Sequence, residues 1–145
     1  MSLENLVGIS LERITAAPQT VRRLLEAASR HIADAKVRQV SAETRFASAY
    51  TAIRMLADAG LHAHGFRVMT SKPGHHQTAI QSLVHTFGVE NAVLARLDAL
   101  RRQRNLTEYS GDTVPESAVE ECVRQGESLR SRALEWLTAN RPDLI

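Results

Sequence analysis

A chain of 145 residues suits one domain with one core. Apolar residues make up 43% and charged residues 23%, as in an ordinary soluble globular protein, and with only 4% aromatics the core has to be aliphatic. A formal charge of +2 does not by itself point to nucleic acid, the single cysteine excludes a disulfide framework or a four-cysteine zinc site within the chain, and no apolar run reaches membrane-spanning length.

The opening segment has no basic region followed by an apolar block, so no signal peptide is expected and a cytoplasmic location is the default. Residues 1–17 read as an arm, with 3–14 either a weak helix or a docking segment. Pro18 opens the first helix, with Pro in its first turn, and Val21, Leu24, Leu25, Ala28, Ile32 and Ala35 recur at helical spacing. Ser41 is placed to cap a second helix whose stripe is Ala42, Phe46, Ala49, Ile53 and Leu56. That helix is expected to run to about Ala59 and to end on Gly60. Residues 60–76 carry Gly60, Gly65, Pro73 and Gly74 and read as the longest loop. A third helix then starts near Gly74 and His75, buries Ile80, Leu83, Val84 and Phe87, and stops at Gly88. The fourth begins at Glu90 or Asn91, turns Val93, Leu94, Leu97 and Leu100 inward, and breaks at Gly111. The fifth starts at 115–117, with Val119, Cys122, Gly126, Leu129, Ala133 and Trp136 as its stripe, and stops at Arg141 and Pro142. No segment reads as a convincing strand. The fold class expected is all-α: an antiparallel up-and-down bundle of about five helices over residues 18–140, within a single domain of 1–145.

The stretch "RRQRNLTEYSGD" (101–112) interrupts this regular picture. On a wheel centred on Leu97, Arg104 and Glu108 each fall about 20° away and Arg101 about 40°. The leucine stripe therefore runs into two arginines and a glutamate without changing face. A buried or half-buried arginine needs a partner. Glu108 stands one turn from Arg104, and Asn105 one turn from both Arg101 and Tyr109. The patch reads either as a polar network tying down the helix end or as a binding site. Arg45 reads as solvated or salt-bridged.

The histidines offer a second, weaker possibility. His75 and His76 fall in the first turn of the third helix, where free N–H groups and Lys72 would suit an anion; ordinary surface histidines are the competing reading. Adjacent histidines diverge on a helix, and no His-Glu-x-x-His pattern occurs, so neither a metal nor a cofactor is expected. Cys122, on an apolar stripe, reads as a buried inert thiol.

An all-helical bundle whose fourth helix ends in Arg104-Asn105 followed by a polar ring residue resembles the HEPN superfamily (higher eukaryote and prokaryote nucleotide-binding domains). The segments "RFASAYTAIRML" (45–56) and "GHHQTAIQSL" (74–83) resemble the openings of its second and third helices, so the likeness spans roughly residues 18–137. It implies a homodimer that places two such motifs across a shared cleft, and metal-independent RNA cleavage. In that chemistry Arg104 steadies phosphate and a histidine carries a proton. Here Tyr109 stands where the histidine is expected, and a phenol titrating near pH ~10 is a poor base at neutrality. The catalytic set implied is Arg104, Asn105 and Tyr109, supported by Arg101 and Glu108. The resemblance thus implies an RNA- or nucleotide-directed protein, a toxin or defence-associated ribonuclease whose motif is degenerate. The alternative is a non-catalytic module for dimerisation or for binding a partner or nucleotide. A nucleotidyltransferase-type antitoxin that modifies a tyrosine near the motif is the partner such a pair would have.

Overall fold

A computed structural model describes residues 2–145. It is an all-α bundle of α1 (Pro18–Ala35), α2 (Ala42–Ala63), α3 (His75–Gln81), α4 (Leu83–Thr86), α5 (Asn91–Ser110) and α6 (Glu116–Asn140). The buried residues form one cluster, dominated by Leu, Ala, Ile and Val. Among the described residues no helix is long and apolar enough to cross a membrane.

The helix α2 is the axis of the bundle. It buries not only the expected Phe46, Ala49, Ile53 and Leu56 but also Arg45, Tyr50, Ala52, Ala57 and Leu61. Alanines on its remaining faces let α1 and α6 approach closely. Ser41 caps it as expected, its Oγ accepting from the Thr44 N–H at 3.3 Å. Its end differs from expectation. The helix runs through Gly60 to Ala63, because Gly60 is a contact residue and not a cap: a Cβ there would lie 2.7 Å from Thr86 Oγ1 and 2.9 Å from the Phe87 ring. The left-handed turn falls instead at Gly65, at φ +86°.

Two short strands, absent from the sequence reading, join the arm to the loop. β1 (Leu11–Arg13) pairs antiparallel with β2 (Phe66–Val68), in the register Leu11 to Val68 and Arg13 to Phe66. Leu11 and Phe66 are buried, so the arm docks through its strand and a 3-10 turn at Leu3–Leu6. Three-residue strands are too short to show an alternation in sequence.

The third predicted helix is broken in two at Ser82. This buried serine donates its hydroxyl to the Ala79 carbonyl at 2.7 Å, a local bond that competes with helix continuation. The break turns Val84 out to solvent, against expectation, while Thr86 goes inward.

Helix directions follow from the cross-helix pairs. α6 runs with α2, as Arg45 meets Glu116 and Arg141 meets the Ala63 carbonyl. It runs against α1, as Lys36 meets Glu127 and Arg22 meets the Ile145 carbonyl. His76 lies beside Tyr50, and His64 contacts the Thr86 carbonyl, so α3 and α4 also run with α2. The connection 64–74 therefore carries the chain back along α2, while the shorter connections after α1, α4 and α5 reverse direction. This return brings His75 and His76 to the same level as the C-terminal half of α5.

Candidate functional site

The fourth predicted helix is α5, and it leaves the core gradually. Leu97 and Leu100 are buried; beyond them the side chain of Arg101 is 16% exposed, that of Arg104 28% and that of Glu108 55%. The common face seen in sequence is therefore a ramp from core to solvent. Gly111, left-handed at φ +71°, ends the helix as expected.

Arg104 is held on three sides. Its Nη2 lies 2.8 Å from Glu108 Oε2, its Nη1 donates to Asn105 Oδ1 at 3.3 Å, and its guanidinium sits over the Tyr50 ring at 5.9 Å. Glu108 thus takes Arg104 and not Arg101. Asp98 takes Arg101, at 2.9 Å from Nε, and also Arg102 at 3.3 Å. An open cleft of about 510 Å³ lies beside Arg104, bordered by Thr44 and Ala47 of α2 and by Thr107 and Glu108 of α5.

Tyr109 stands apart from this arrangement. It is 86% exposed and projects from α5 near the exposed Leu106. The structure does not bring it to Arg104 as a neighbouring catalytic group. Lys72 is exposed on the turn before α3. His75 and His76 are half-buried and pack edge to face, with centroids 4.6 Å apart. The cations acting on His76 are Arg54, Arg104 and Arg101, from α2 and α5.

The sequence reading missed the α2 side of this cluster. Tyr50, Arg54 and Asp58 recur every fourth residue and so share one face of the helix, a polar row that spacing alone could have revealed. Arg54 pairs with Asp58 at 3.2 Å. Burial pushes the Asp58 carboxyl up to about 6, against the pull of Arg54 and His75. Burial also pushes the Tyr50 phenol up to about 12, although Arg104, Arg101 and Arg54 oppose it. The Tyr50 hydroxyl has no hydrogen-bond partner among the described residues. Burial, reinforced by Arg54, His75, Arg104 and Arg101, lowers His76 to about 4. His76 is therefore a neutral imidazole at pH 7, able to accept a hydrogen bond.

Two other sequence readings resolve away from this site. Arg45 is salt-bridged and buried, with three contacts of 2.6–2.8 Å to the Glu116 carboxylate. Cys122 is buried and its thiol is pushed up to about 12 by burial, so thiolate chemistry is disfavoured at pH 7. Among the described residues no group of three or more His, Cys, Asp or Glu is placed to hold a metal ion.

The chain matches no protein-family model, no curated protein and no solved structure.

Proposed function

We propose that this is a HEPN-like module directed at the phosphates of RNA or a nucleotide, with Arg104 as its principal ligand group. The observation that carries this reading is the setting of Arg104. It is half-buried beside a cleft, oriented by Asn105 and the Tyr50 ring, and paired only with an exposed glutamate one turn away. Such a pair is weak in water, so a phosphate, which a guanidinium grips with two parallel bonds, can displace it at small cost. Asn105 orients the fork and Glu108 occupies it until the ligand arrives.

The exposed Tyr109 and Leu106 support a symmetric homodimer that pairs the ends of α5 and brings two Arg104 groups toward one cleft. In a toxin–antitoxin setting a nucleotidyltransferase partner would reach the Tyr109 hydroxyl in the free monomer, before the homodimer covers it. Tyr109 in place of histidine favours binding over cleavage. The test is RNA binding and cleavage by wild type, Arg104→Ala and Tyr109→His, with thermal melts as folding controls. Arg104→Ala is expected to lose about 1.5–3 kcal/mol of binding, the range of a charged hydrogen bond. Tyr109→His, supplying a group that titrates near neutrality, is expected to raise cleavage. A folded Arg104→Ala that binds RNA as wild type does would remove the site from this position.

A further inference from the structure

We propose that Tyr50 and Arg54 of α2, His76 of α3, and Arg101 and Arg104 of α5 form a phosphoryl-oxyanion site in which His76 takes up a proton as the anion binds. The proposal deepens the reading of Arg104 as a phosphate ligand and rests on it, but it assigns the proton-carrying role to a residue outside the Arg104–Tyr109 segment.

Three observations converge on it. The first is geometric: the Tyr50 ring neighbours both the Arg104 guanidinium, 5.9 Å from its centroid, and the His76 ring, 6.1 Å centroid to centroid. Three elements thus meet around one phenol. The second is an unmet polar group. Tyr50 is 2% exposed, yet its hydroxyl has no partner among the described residues. Buried hydroxyls are normally satisfied, and an oxyanion would accept a hydrogen bond from it. The third is charge. Arg54, Arg101, Arg102 and Arg104 share three carboxylates, Asp58, Asp98 and Glu108. Asp98 is shared by Arg101 and Arg102, so four arginines face three carboxylates and the cluster carries one positive charge in excess.

The proton uptake follows from the same charges. His76 faces Tyr50 and Arg54 from α2, His75 beside it, and Arg101 and Arg104 from α5, while the Asp58 carboxyl on the same row of α2 is paired with Arg54. Burial and these cations hold it neutral. An anion seated among the arginines cancels their field at the imidazole and adds an attraction of its own. An opposite charge within about 4–6 Å raises a histidine's pKa by about 1–3 units. The proton comes from solvent, and no covalent bond changes. By linkage, the anion then binds about tenfold more tightly for each unit by which it raises that pKa, once pH is below the free value.

The test is a histidine NMR titration of the full chain between pH 3.5 and 8 (roughly bracketing the ordinary histidine value on both sides), with His76→Gln identifying the resonance. It is run in chloride, in sulfate at equal ionic strength, and with uridylyl-uridine as a phosphodiester. Sulfate does not titrate in this range, so any change belongs to the protein. The expected result is a His76 pKa raised by about one unit or more in sulfate. Arg101→Gln, or Arg54→Gln if the first fails to fold, should abolish the rise. A response to sulfate but not to the dinucleotide would assign the site to free phosphoryl anions; a response to both would assign it to RNA as well. An unchanged His76 in sulfate and dinucleotide overturns the proposal, as does a rise that survives in folded Arg101→Gln and Arg54→Gln. RNA binding by wild type and Arg104→Ala, measured alongside, separates the two readings. If RNA binding depends on Arg104 while His76 stays silent, only the oxyanion site falls. If RNA does not bind while sulfate still moves His76, only the RNA reading falls.

Discussion

Arg45 and Arg104 meet similar partners and live in different worlds. Each pairs with a half-exposed glutamate, Glu116 at 49% and Glu108 at 55%. Arg45 itself is 3% exposed, against 28% for Arg104. Arg45 also reaches across the bundle from α2 to the first turn of α6, whereas Arg104 pairs with a residue one turn along its own helix. A buried guanidinium whose two nitrogens share one carboxylate is committed: releasing Glu116 would leave a charge in the core. Arg104 can exchange Glu108 for water or a phosphate with little loss. An arginine at the edge of a core is structural or available for a ligand according to who would satisfy it if its partner left.

The largest expected effect comes from breaking the committed pair. Glu116→Gln should lower stability by roughly 2–3 kcal/mol, somewhat under the value for a wholly buried pair because Glu116 is half-exposed. Arg45→Met, which removes the charge and keeps the volume, should cost less. Urea unfolding of both variants checks the order. If Glu116→Gln is as stable as wild type, Arg45 is solvated in practice and the contrast with Arg104 collapses.

Arg104→Ala should show the opposite profile. Its exposed pair one turn apart is worth only about 0.3–0.5 kcal/mol, so unfolding should barely change while RNA binding falls about 10- to 150-fold. A large loss of stability would make the patch at 101–109 a structural network.

The pH dependence sharpens the comparison from the side of Arg54. The folded-state pKa of Asp58 is pushed up to about 6 by burial, above its ordinary 3.8. The folded state thus prefers the protonated acid. The favourable contribution is complete below the unfolded value and is lost as pH rises through the folded one. Asp58→Asn should therefore gain on wild type between pH 4 and pH 7, by roughly 1–2 kcal/mol, when melting temperatures are compared across that window. A gap independent of pH would mean that Asp58 ionises normally and neutralises Arg54 as fully as Glu116 neutralises Arg45. The smallest effect belongs to Tyr109→Phe. At 86% exposure its hydroxyl holds no partner among the described residues, so stability should stay within about 0.5 kcal/mol of wild type.

Local order was legible wherever spacing alone decides it. The repeats in α1, α2, α5 and α6, the Ser41 cap and the Gly111 stop follow from a 3.6-residue period and from which residues can cap or end a helix. So did the continuation of the α5 face into Arg101, Arg104 and Glu108, because residues on one face of a helix are set by their numbering. What the tertiary structure alone decided is which helix lies at the centre and what meets across it. The burial of Arg45 and Tyr50 depends on α1, α5 and α6 closing around α2, and a stripe read in isolation cannot show that its polar neighbours will be covered as well. The role of Gly60 depends on Thr86 and Phe87 arriving against it from α4 and the turn beyond. The meeting of His76 with Tyr50 and the arginines depends on the return of segment 64–74 along α2. Periodicity is a property of neighbours in the chain, whereas a site built from three helices exists only once the loops have set their direction and level.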